Sequence, residues 1–140
     1  MGEGGKDMST RIVPYLAFED ASQAIEFYRQ AFGAVESYRL EDDGKISHAE
    51  IRIGEAVIYL SDRYPEIDVL SPKDLGGSPV MIVLEVEDVD QLFNQAVTAG
   101  ASVSRPLEDS FEGTLRTGKL VDPFGHRWMI LTYKPNPPSG

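Results

Sequence analysis

Apolar and polar positions alternate along this chain in two rhythms. After Asp20, residues Ala24, Phe27, Tyr28, Ala31 and Phe32 keep the spacing of one helical face, and after Asp88 residues Val89, Leu92, Phe93, Ala96 and Val97 keep it again. Each stretch predicts an amphipathic helix. Gln23 follows Asp20 by three residues and Gln91 follows Asp88 likewise, a spacing resembling the capping box with a carboxylate as acceptor for orphan backbone N–H groups. Gly33 and Gly100 stand where a left-handed residue would end each helix. The remaining apolar positions predict strands at 12–18, 35–40, 47–53 and 56–61, then at 80–86, 102–106, 115–121 and 127–133, with turns at Asp43-Gly44 and Gly54-Glu55.

The two halves repeat one another. Leu16-Ala17-Phe18-Glu19-Asp20 returns 68 positions later as Leu84-Glu85-Val86-Glu87-Asp88, and Leu40-Glu41-Asp42 returns at an offset of 67 as Leu107-Glu108-Asp109. The chain thus divides into one β-α-β-β-β module at 10–63 and a second at 80–134. Between them, 64–79 holds three prolines and two glycines without a clear period and is expected to link the modules and overlie a pocket. Residues 1–9 and 135–140 have little to bury and are expected to be flexible tails. The fold class is α+β, in a single domain.

Composition narrows the function. The 140 residues include no cysteine, which excludes disulfides, thiolate catalysis and Cys-ligated metals. A net charge of −10 repels phosphate backbones and anionic lipid, so neither nucleic acid nor a membrane is an expected partner. No apolar run approaches the ~20 residues of a membrane span, and the first residues lack a signal-peptide core, so the expected location is the cytoplasm. No phosphate-binding Gly-x-x-x-x-Gly-Lys-Ser/Thr run and no Gly-x-Ser-x-Gly elbow occurs.

Tandem β-α-β-β-β modules combine here with Val13-Pro14-Tyr15-Leu16, Ala24-Ile25-Glu26-Phe27-Tyr28, Ala31-Phe32-Gly33-Ala34 and the closing Asp122-Pro123-Phe124-Gly125-His126-Arg127-Trp128. This ordered set resembles the vicinal oxygen chelate superfamily of glyoxalases, bleomycin-resistance proteins and extradiol dioxygenases, most of all its PhnB-like branch, over about Thr10 to Tyr133. The resemblance implies a cup-shaped mixed sheet and a homodimer. In metal-dependent members four His or Glu side chains meet in the cavity; those positions fall here on Val13, Tyr59, Met81 and Met129. Two methionines, a valine and a neutral phenol make no site for a hard or borderline divalent ion, so no metal and no cofactor is expected.

What remains is a cavity without its ion, which points to binding or sequestration of a small molecule. Strand alternation places Tyr15, Val57, Tyr59, Met81, Val83, Arg127 and Met129 on the cavity side, and Trp128 and Arg116 join the expected ligand-binding set, the latter through the PhnB-like pattern. The Trp-Gly common before that arginine is replaced by Gly113-Thr114. The acidic chain favours a cationic ligand and its aromatic residues favour an aromatic one. His48 and Glu50 alternate on one strand and share a face, where with Tyr59 they are candidates for acid–base work; a solvated face is the plainer alternative. His126, after the turn glycine, is expected to pack or hydrogen-bond there. The competing function is a lyase or dioxygenase of the same superfamily with a divergent metal site.

Overall fold

The structure is a computed structural model that describes residues 9–134. Apart from Ser9, the expected tails lie outside the described residues.

Each half of the chain builds one four-stranded mixed sheet. Strands β1 (Tyr15–Phe18), β2 (Val35–Asp42), β3 (Lys45–Ile53) and β4 (Ala56–Asp62) assemble in the order β1-β4-β3-β2, with α1 (Ala21–Phe32) after β1. Strands β5 (Met81–Glu85), β6 (Ser102–Ser110), β7 (Leu115–Val121) and β8 (Arg127–Tyr133) repeat the order as β5-β8-β7-β6, with α3 (Val89–Ala99) after β5. Within each sheet only the first pair is parallel, as a crossover helix requires. The α+β class holds, and because the two sheets are not hydrogen-bonded to one another, the mixed sheet that the resemblance implies is built of two four-stranded mixed sheets.

Both helices begin and end at the residues the sequence suggested, but Gly100, at φ 131°, closes α3 outside the αL conformation expected of it. Asp20 and Asp88 accept the backbone N–H groups of Gln23 and Gln91, and Gly33 at φ 71° accommodates the left-handed turn that closes α1. The strands differ more. β1 is shorter than expected because Pro14 supplies no N–H to a ladder, and Ile12 stays 93% exposed. β2, β3 and β6 run longer than expected; β2 and β3 extend to the hairpin tip at Asp43-Gly44, whose positive φ values suit a tight turn.

The linker is not structureless. Pro65–Ile67 form a 3-10 turn and Pro72–Leu75 form the one-turn α2, entered through a full capping box between Ser71 and Asp74. Ser71-Pro72-Lys73-Asp74 carried that signal in plain sequence: an N-cap serine, a proline at the first helical position and an acid at the third. Arg63 grips Asp74 through both carboxylate oxygens, and this ion pair with the Ser71 backbone N–H holds the Asp74 carboxyl well below the usual range.

One apolar core serves both modules. The helices pack on each other and on their own sheets, and the buried set runs from Phe18, Ile51 and Leu60 through Tyr28 and Phe93 to Leu120, Trp128 and Ile130. Within it Asp122, 4% exposed, is the polar fastener. Its carboxylate accepts the Tyr28 hydroxyl of the first module, Trp128 Nε1 at 3.0 Å, and the backbone N–H groups of Phe124 and His126 at 3.0 Å each. Burial, then the Asp122 charge, pushes the Tyr28 phenol up well above its usual value, so it remains a donor. His126 Nε2 reaches Ala17 O at 3.0 Å, a second polar tie across the modules and consistent with the hydrogen-bonding role expected of it.

Candidate functional site

A carboxylate, an imidazole and three phenols gather on the face of the first sheet turned away from α1. From His48 on, β3 alternates there: Ala49, Ile51 and Ile53 bury toward the core, whereas His48 and Glu50 point to the other side. Strand register then sets Tyr15 beside Tyr59, Tyr59 beside Glu50, and Glu50 beside Tyr38, a single row across all four strands. His48 sits against that row. Its ring centroid lies 5.1 Å from Tyr59, 5.6 Å from Tyr15 and 6.1 Å from Tyr38. Its Nε2 is 3.3 Å from Glu50 Oε2 and its Nδ1 is 3.3 Å from the Tyr15 hydroxyl.

The linker stands beside this face. Tyr15 and Ala17 with Asp68, Val69 and Leu70 line a hollow of about 460 Å³. A bridge between Tyr64 and Val69 fixes that wall, and the Lys45 ammonium lies 4.4 Å over the Tyr64 ring. At its other side, Tyr15 shares a hollow of about 290 Å³ with Arg127, Ile82 and Val80 of the second module. Val57 and Val83 both line a neighbouring hollow, also about 290 Å³, between the same modules.

Three sites of expectation therefore separate. His48, Glu50, Tyr59 and Tyr15 form one cluster. Val83 and Met129 lie in an equivalent row of the second sheet, Val83–Met129–Lys119–Arg105, with Met81 beside Arg127 one row away. Arg116 and Trp128 belong to neither face. Arg116, expected to bind ligand, faces α3, where its guanidinium binds Asp90 at 2.7 Å and 2.9 Å and Asp109 at 3.3 Å. Pairing with Asp90 raises the Arg116 pKa and lowers that of Asp90, while Lys134, and after it Arg116, lowers that of Asp109. Trp128 is 1% exposed, packs on Tyr28 and Phe32 and spends its N–H on Asp122, so it is a core residue and not a stacking platform.

Tyr38 and Asp122 are the residues that sequence reasoning left out of the site and of the core. A plain hairpin count from Asp42 and Lys45 puts Tyr38 opposite Ala49, on the core face. A bulge at Ser47 of β3, between the pairs Glu41–Ile46 and Leu40–His48, shifts the register by one and delivers Tyr38 to Glu50 instead. No sequence signal marks that bulge.

The metal of the metal-dependent relatives does not fit. The four corresponding positions hold Val13, Tyr59, Met81 and Met129, and among the described residues no three His, Cys, Asp or Glu side chains group as a metal would need.

This topology and this site define a class. The family model of the glyoxalase/bleomycin resistance protein/dioxygenase superfamily matches residues 11–130, so the chain belongs to that superfamily. Among its relatives, a protein of Mycobacterium tuberculosis is 45% identical over 121 residues, covering 84% of this chain and 71% of the relative. Of solved structures, TioX from Micromonospora sp. ML1 is 25% identical with a TM-score of 0.72, over 90% of this chain and 100% of its own. A FosX variant from Listeria monocytogenes, solved with Mn(II) and 1S,2S-dihydroxypropylphosphonic acid, shares the fold at 17% identity and a TM-score of 0.67, over 88% and 89% of the two chains. Among the described residues no helix is long and apolar enough to cross a membrane.

Proposed function

We propose that this chain is a metal-independent small-molecule binding protein of the PhnB-like branch, which holds an aromatic or cationic ligand against the outer face of its first sheet and works as a homodimer. The observation that carries the reading is the row Tyr15–Tyr59–Glu50–Tyr38 with His48 against it. Half-exposed tyrosine rings offer flat apolar surface at low entropic cost, and a carboxylate between two of them adds the charge that a cation–π contact favours. The hollows beside Tyr15 lie at or slightly below the usual size for small ligands; the one shared with Arg127 is mainly apolar, and the one beside the linker mixes polar and apolar surface. The exposed apolar side chains Val35, Leu40 and Val83 near these faces support a second copy as cover.

A thermal-shift screen of aromatic and cationic small molecules on chelator-treated protein tests this. A ligand at 100 times its Kd stabilises by about 2.7 kcal/mol, and Tyr59→Ala is expected to abolish the shift. No hit in either class would sink the proposal. The proximity of His48 and Glu50 favours the rival reading, a lyase or dioxygenase with a divergent metal site. Elemental analysis after incubation with nickel, zinc, manganese and ferrous ions decides it: one ion per chain, lost on Glu50→Ala, would establish the metal enzyme.

A further inference from the structure

The three polar atoms around His48 stand in an order that does more than hold a ligand. Glu50 Oε2 is 3.3 Å from Nε2, and a carboxylate only accepts, so that nitrogen carries the ring's hydrogen. Nδ1 is then the acceptor, and the Tyr15 hydroxyl 3.3 Å away is the donor. Both distances are long for hydrogen bonds, as those of acid–base sites without substrate commonly are. The sequence Tyr15 Oη–H to His48 to Glu50 reproduces, with a phenol, the logic by which a hydroxyl is activated through an imidazole that a carboxylate orients. Its outer end is accessible: Tyr15 is 49% exposed and lines both the hollow beside the linker and the one shared with Arg127.

We propose that Tyr15, His48 and Glu50 form a metal-independent proton relay, and that Tyr15 Oη is the atom that takes a proton from, and returns it to, a weakly acidic hydroxyl on an aromatic ligand. The proposal rests on the reading of this face as the ligand site and adds a chemical act to it. The step balances without a further reactant. The Oη–H bond breaks as its proton passes to Nδ1, a new Oη–H bond forms with the ligand's proton, and the ligand is left as its oxyanion beside the imidazolium. The reverse step restores all three groups. Tyr15 is the catalytic residue; His48 and Glu50 act through it and are positioning residues.

Tyr38 supplies an internal control, because it is also 49% exposed and lies 6.1 Å from the His48 ring, while its hydroxyl makes no hydrogen bond to that ring. Phenylmethanesulfonyl fluoride is the probe of the relay: Oη–S forms, S–F breaks, fluoride leaves and the phenol proton goes to His48. Peptide mapping by mass spectrometry is expected to show Tyr15 sulfonylated about tenfold faster than Tyr38. His48→Asn, which keeps an acceptor near the Nδ1 position but no base, should bring Tyr15 down to the Tyr38 rate while the melting curve shows a folded protein. Equal rates in the unmodified protein, or a Tyr15 rate indifferent to His48→Asn, would overturn the relay. This readout needs no bound ligand, so it stands apart from failure of the binding screen. The ligand class is read with 4-nitrophenol below its own ionisation midpoint: the visible band of the phenolate should grow on adding protein and not on adding His48→Asn. A band that does not grow overturns the hydroxyl as proton donor.

Discussion

Removing the Asp122 carboxylate should unfasten the two modules, and the structure sets the size of the effect. In Asp122→Ala four donors lose their acceptor: the Tyr28 hydroxyl, Trp128 Nε1 and the N–H groups of Phe124 and His126. Tyr28 is 0% exposed and Trp128 1%, so neither donor regains a partner from water without local opening. A buried donor left unsatisfied costs about 1–3 kcal/mol, which gives about 2–6 kcal/mol for these two side chains. The loss of a carboxylate buried without a cationic partner returns part of this, since such a charge is itself costly to bury. The net expectation is a loss of about 2–4 kcal/mol. Urea unfolding at fixed m-value, followed by far-UV circular dichroism, measures it; the lone Trp128 offers a second, fluorescent probe. A loss under about 1 kcal/mol would refute the reasoning, because it would mean that Tyr28 and Trp128 find other partners.

Further outcomes follow from the same packing. Tyr28→Phe removes a phenol whose pKa is raised in the folded state. Its protonated form favours folding, so that contribution is complete below about pH 10, the unfolded value, and is lost as pH rises beyond it; the unsubstituted protein should lose stability more steeply in alkaline titrations than the variant. Gly118→Ala would set a methyl 2.6 Å from Phe93 Cε2 and 3.1 Å from the backbone oxygen of Arg105, and should cost about 1–3 kcal/mol in denaturant melts. Asp74→Asn weakens the grip of Arg63 and half of the α2 capping box, and should raise hydrogen-exchange rates across 71–76 with little effect on the global midpoint.

Local physics is what the sequence by itself determined. Helical spacing after Asp20 and Asp88, their caps and the terminating glycines are interactions within a dozen residues, and both helices follow them. The repeat at 68 positions fixed the pairing of two like sheets, and period-two alternation on β3 put His48 and Glu50 on one side. Arg116 shows where alternation and family pattern stop: its partner Asp90 lies on another element, 26 residues away, and only packing shows that α3 delivers it. Trp128 and Asp122 are likewise settled by Tyr28, brought from 94 residues away by the packing of α1 on α3. The site itself is the sharpest case. A one-residue bulge at Ser47 in β3 chose the face on which Tyr38 appears, and the parallel pairing of β1 with β4 brought Tyr15 to His48. Register and crossover are long-range choices, set by which apolar faces bury best together, so a chain read residue by residue contains their ingredients and the tertiary structure alone contains their outcome.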